Sequence, residues 1–102
     1  NSAQLYSKYI VDIKTATSVT VKAGQKFYIN AELKAQDGTI LKGKANQYIV
    51  LAGSPNYKMT AKKDAITFTQ KGTAFVLAGY QYHIDNQYFY NIFTAPVRVS
   101  VQ

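Results

Sequence analysis

His83 and Asp85 stand two positions apart late in the chain, and Ser54 lies in the run AGSPN. These are the residue types of a hydrolytic triad: a hydroxyl nucleophile, an imidazole base and a carboxylate that orients the base. A working serine also needs an exposed, strained turn, and no G-x-S-x-G elbow surrounds any serine of this sequence. Residues two apart on a strand share a face without making the base-orienting hydrogen bond. The expectation is therefore an exposed histidine beside a turn aspartate, and no enzyme. Metal chemistry meets a similar obstacle. The acids Asp12, Glu32, Asp37, Asp64 and Asp85 are dispersed and cysteine is absent, so neither a calcium loop nor a zinc set with ligand spacing is present. No cofactor is expected. Lys26, Asn30 and Glu32 carry the groups of a lysine–asparagine cross-link beside a carboxylate, but strand parity puts all three in water, where that chemistry is not favoured.

Binding chemistry has better material. Residues 80–93, YQYHIDNQYFYNIF, concentrate tyrosine and phenylalanine around the single histidine. Taking Asp85-Asn86 as a two-residue turn pairs His83 with Tyr88, Tyr82 with Phe89, Gln81 with Tyr90, Tyr80 with Asn91 and Ala78 with Phe93. Alternation then divides the hairpin. Ala74, Val76, Ala78, Tyr80, Tyr82, Ile84, Phe89 and Phe93 form a core side. Gln81, His83, Tyr88 and Tyr90, with Ile92, form a mixed aromatic and polar side, the candidate patch for a glycan or protein partner. Cross-strand tyrosine pairs also stabilise sheets with no partner at all, and that is the simpler reading of these rings.

The chain has 102 residues, and 47% hydrophobic against 17% charged residues is a composition that folds. One domain spanning 1–102 is expected, because two cores in this length would each be too small to stand unaided. Twelve Lys and Arg against five acids give +7, a field that attracts polyanions such as wall polymer, anionic lipid or nucleic acid. Lys58, Lys62, Lys63 and Lys71 are the candidate contacts in a diffuse distribution. Eleven of the twelve cations are lysines, point charges rather than bidentate forks, which argues against base-specific readout of nucleic acid. No apolar run approaches the roughly 20 residues of a membrane helix. A start at Asn1 without a leader suggests a processed chain or a module of a longer one.

The elements that position these residues read as strands. KFYINAELK alternates strictly, with Phe27, Ile29, Ala31 and Leu33 on one side and Tyr28, Asn30, Glu32 and Lys34 on the other. Asp37-Gly38 makes the following hairpin turn, and KAG at 22–24 the preceding one. YIVDI and SVTVK are edge strands, followed later by QYIVLAG, YKMT, AITFT, the long TAFVLAGYQYHI and a last strand from Tyr88 to Val101, in which Pro96 marks a bulge or edge. Seven to eight strands predict an all-β sandwich or small barrel.

SVTVKAGQKFYINAELKAQDGT, AITFTQKGTAFVLAGY and the closing APVRVSVQ together resemble the bacterial immunoglobulin-like modules of surface and secreted proteins. That resemblance implies an immunoglobulin-like β-sandwich and a noncatalytic role in assembly, adhesion or spacing, in a secreted or cell-surface protein of a Gram-positive bacterium, with self-assembly and a surface protein or glycan among its partners. The segment from Leu41 to Lys63 departs from that pattern, and tryptophan is absent. A second resemblance competes. YIVDIKTATSVTVKAGQKFYI and YKMTAKKDAITFTQKGTAFVL align as a faint repeat similar to the paired SH3-like domains by which lactobacillar surface-layer proteins hold teichoic acid. A single-strand nucleic-acid-binding barrel is the third alternative.

Overall fold

The computed structural model describes residues 9–83 and 89–102. All regular elements among them are strands. They are β1 (Ile10–Lys14), β2 (Ser18–Val21), β3 (Lys26–Phe27), β4 (Asn30–Ala35), β5 (Ile40–Lys44) and β6 (Gln47–Val50), then β7 (Tyr57–Met59), β8 (Ile66–Phe68), β9 (Gly72–His83), β10 (Phe89–Phe93) and β11 (Val97–Val101). Eleven strands replace the expected seven to eight for three reasons. KFYINAELK breaks into β3 and β4, the last strand divides at residues 94–96, and ILKGK forms β5. Among the described residues no helix is long and apolar enough to cross a membrane.

The arrangement is an open, sandwich-like β structure organised by β9. At twelve residues, β9 runs about 40 Å, most of the 46 Å long axis of the molecule. Its 72–76 half pairs antiparallel with β11, which in turn pairs parallel with β2. Its 79–83 half pairs with β10 on the same edge, and β6 occupies the other edge along 76–79. Phe93 faces Gly79 and Val97 faces Val76, so the three residues 94–96 lie opposite only 77 and 78. This is a bulge with Pro96 in it, as the sequence predicts. Proline's missing N–H removes one ladder bond, and Thr94 repairs the local pairing: its amide donates to the Ala78 carbonyl at 2.8 Å and its Oγ1 accepts from the Ala78 amide at 3.2 Å.

Two small sheets, β1-β4-β5 and β3-β8-β7, cover one face of this large sheet. Phe27 on β3, Ile29 in the step after it, and Ala31 and Leu33 on β4 all turn inward, so the two small sheets form one layer. Beneath β3-β8-β7 the core holds Ile66, Phe68, Val76, Val97, Val99 and Tyr48. Beneath β1-β4-β5 a smaller cluster joins Ile13, Ala31 and Leu33 to Ile10, Tyr80 and Ile92. With only two or three residues per strand, the β3-β8-β7 sheet owes its stability mainly to burial. Ile66 and Phe68 are 0% exposed, and each contributes about 2–3 kcal/mol when fully buried.

The chain passes from one small sheet to the other at Tyr28-Ile29, where neither sheet's ladder extends. Tyr48 from β6 fills the gap. Its hydroxyl accepts from the Ile29 amide at 2.8 Å and donates to the Ala45 carbonyl at 3.4 Å, while the Ala45 amide donates to the Ile29 carbonyl at 2.8 Å. Burial pushes the Tyr48 phenol pKa up, with the Asp64 charge adding to the rise and the Ile29 amide opposing it.

The β9–β10 register corrects the sequence-derived pairing. Phe89 faces His83, Tyr90 faces Tyr82, Asn91 faces Gln81 and Ile92 faces Tyr80, one residue away from the expected match. Every β10 side chain therefore changes face. Phe89 and Phe93 lie outside, with Phe89 57% exposed, while Tyr90 and Ile92 join Tyr80 and Tyr82 on the core side. The expected Asp85-Asn86 turn and Ile84 lie outside the described residues. Gly79 accounts for the observed register: an added Cβ there would stand 2.5 Å from two Phe93 ring carbons, so the ring lies directly on bare backbone. Tyr82 and Tyr90 stack with centroids 6.0 Å apart on the other face.

Tyr48→Phe leaves the Ile29 amide buried without a partner and is expected to lower unfolding free energy by about 1–3 kcal/mol in denaturant titration. Because the folded state holds the Tyr48 proton more tightly than the unfolded state, alkali favours unfolding. The wild-type advantage over Tyr48→Phe is present below the ordinary tyrosine pKa of 10.0 and shrinks as pH rises above it. Gly79→Ala forces the Phe93 ring aside and is expected to cost about 1–3 kcal/mol, with the Phe93 ring resonances as the local reporter.

Candidate functional site

Of the four residues expected to form an aromatic patch, the structure keeps two together. Gln81 and His83 share the outer face of β9, with Phe89 against the imidazole edge at 5.9 Å. Tyr90 points to the opposite face, stacked on Tyr82 and edge-on to Tyr9 with 6.0 Å between centroids. Tyr88 lies outside the described residues. The Tyr82 hydroxyl also bridges to β1, accepting from the Ile10 amide at 3.2 Å and donating to the Ile10 carbonyl at 3.3 Å. Gln81 is held through its backbone: the Asn46 side chain accepts from its amide at 2.7 Å and donates to its carbonyl at 3.0 Å, continuing the β6 edge by one rung. Tyr82 and Tyr90 fasten the small sheet to the large one, and Gln81, His83 and Tyr90 do not form a single surface.

The four candidate lysines are exposed. Lys58 is on β7, Lys62 and Lys63 occupy the turn into β8, and Lys71 precedes β9. The turn is built by Thr60, whose Oγ1 donates to an Asp64 carboxylate oxygen at 2.7 Å and accepts from the Asp64 amide at 3.1 Å. Lys63 takes the left-handed conformation there, with φ 61°. The Thr60 hydrogen bond, then Lys44 and Lys62, hold the Asp64 carboxyl below its ordinary pKa. A lysine of its own turn and one from β5 thus both act on Asp64.

That link points to a site that sequence reasoning misses. On the outer face of β1-β4-β5, register sets Lys14, Glu32 and Lys42 in one row across three strands, with Asn30 and Lys44 in the next. These residues, with Tyr28, Thr15 and Ala16, line an open groove of about 890 Å³. Lys44 Nζ lies 4.7 Å from the centre of the Tyr28 ring, a cation–π contact that fixes the ammonium at the groove's end. On the neighbouring sheet Lys26 and Lys58 flank Thr67 in the same manner. Because the two small sheets are one layer, their outward lysines form one basic face.

Two signals in the sequence bear on this face. The outward parity of KFYINAELK already places Tyr28, Asn30 and Glu32 together. Lys42 and Lys44 lie two apart in ILKGK, and knowing that run to be a strand would have put them beside those residues. Among the described residues no three His, Asp or Glu side chains gather at a metal-binding distance. Comparison with protein-family models and with curated proteins finds no match for the chain.

In an NMR pH titration the Asp64 carboxyl is expected to titrate below its ordinary value of 3.8. Its clasp on Thr60 is then intact above that value and released as pH falls through the lowered pKa. Thr60→Ala should move the Asp64 midpoint upward.

Proposed function

We propose that the chain is a noncatalytic binding module of a secreted or cell-surface bacterial protein, and that its basic face holds an anionic polymer such as a wall polymer. The observation that carries this reading is the row of Lys14 and Lys42 around Glu32, with Lys44 clamped on Tyr28 in an open groove. Lysines on flanking strands stand about two strand spacings apart, roughly 10 Å. An extended, repeating anion meets such an array better than a compact ligand does. Glu32 and Asn30 supply hydrogen-bonding groups for polymer hydroxyls between the charges.

The sandwich-like strand arrangement agrees with an immunoglobulin-like module, and the basic face suits adhesion or assembly at an anionic wall. A tandem SH3-like anchor for teichoic acid would use the same charges. Single-stranded nucleic acid is a weaker fit, since the stacking platform such binders need calls for several free ring faces and Tyr28 already has Lys44 over its ring.

Binding of the chain to purified wall polymer is expected to weaken steeply between about 0.05 and 0.2 M salt, because phosphate or carboxylate contacts release counterions. Lys42→Gln with Lys44→Gln should lower affinity about tenfold or more while leaving the melting temperature nearly unchanged, because both side chains are exposed. Binding that persists at high salt, or that is indifferent to this pair, rejects the reading.

A further inference from the structure

The opposite broad surface of the molecule has the reverse character. On the outer face of the large sheet, cross-strand register brings Phe75, Leu77 and Ile49 side by side, with Phe93 on the next rung. Phe89 lies farther along, beyond the polar pair Asn91 and Gln81. Phe75 and Ile49 are each 44% exposed and Phe89 57%. Outer sheet faces ordinarily carry polar side chains, and a contiguous apolar stretch of this kind marks a contact surface. Gly79 extends it by letting the Phe93 ring lie flat on the strand.

Charge says what covers it. The chain carries +7, so two copies repel each other across most orientations. Yet among the described residues the outward strand positions of this face hold Arg98 as their single Lys, Arg, Asp or Glu, beside the uncharged polar residues Ser18, Thr20, Gln47, Thr73, Gln81, Asn91 and Ser100, with His83 and the apolar row. The strand lysines all lie on the other layer. Face-to-face approach through the large sheet therefore keeps the strand lysines of two copies on opposite outer sides. The surface is about 15 Å by 40 Å from strand spacing and rise. Two such faces bury on the order of 1,200 Å², the size of a specific, modest-affinity interface.

We propose that two copies of this chain pair through the outer faces of their large sheets, with Phe75 and Ile49 at the centre of the contact. The pairing leaves both basic grooves open on the far sides, so the dimer presents two polymer-binding faces pointing away from each other. It does not depend on the polymer reading.

Sedimentation equilibrium of the intact chain tests this directly. The wild type is expected to form a dimer that tightens several-fold as salt rises from about 0.05 to 0.5 M, because screening relieves the repulsion between copies. Phe75→Lys and Ile49→Lys should each weaken dimerisation at least about tenfold with circular dichroism unchanged. Val11→Lys, which adds the same charge at an exposed position of β1, should dimerise nearly as the wild type does. A wild-type chain that stays monomeric at about 1 mM in high salt overturns the proposal, and so does a Phe75→Lys chain that dimerises as tightly as the wild type.

Discussion

One phenol hydroxyl decides whether the two small sheets can be one layer. Where the chain steps from β3 to β4, the Ile29 amide has no strand to bond to, and it is buried. A buried donor without a partner costs more than an ordinary hydrogen bond returns. The Tyr48 hydroxyl answers that need from β6, a strand of the opposite sheet, and also reaches the Ala45 carbonyl. One side chain thereby ties the layers together at the point where β3 hands over to β4. The continuity of the basic face across the two sheets follows from that junction, since Tyr28 stands on its outer side and Lys44 is held there.

The two halves of the molecule are held by different means. The half around Phe68 and Val99 is a buried aliphatic and aromatic core. The half around Ile13 and Leu33 is thin, and there the closing contacts are rings with polar tips: Tyr80 against Tyr82, Tyr82 against Tyr90, and the Tyr82 hydroxyl on the backbone of β1. A phenylalanine in place of Tyr82 would fill the space but remove the hydrogen bonds from β9 to the Ile10 backbone. The tyrosine-rich stretch is thus explained largely by a shortage of aliphatic core at that end of the long strand.

Much of the fold was legible in the sequence because local chemistry dictates it. Strict alternation from Phe27 to Leu33 gives the buried side, Gly24 and Gly38 take the positive φ their turns require, and Pro96 marks a bulge. The β9–β10 register was not legible. Both faces of FYNIF carry large apolar residues, so parity offers no preference, and the choice falls to the fit of the Phe93 ring over the bare backbone of Gly79 on the neighbouring strand. ILKGK carries no strand signal because all five of its residues are exposed and no alternating pattern results. The basic groove depends on that strand and on long-range pairing with β1, so its lysines looked scattered along the chain while the fold gathers them.

The parallel pairing of β2 with β11 joins an early strand to the last one, with Ser18 level with Arg98 and Val21 level with Val101. Parallel neighbours offer evenly spaced, slanted bonds. Tension that reaches β2 from its leading end and β11 from its trailing end pulls these strands past each other along their length. All the rungs then bear the load together, whereas in a hairpin pulled open from its ends they would break in succession. In a chain that links one body to another, this edge of the sheet would serve as a mechanical clasp.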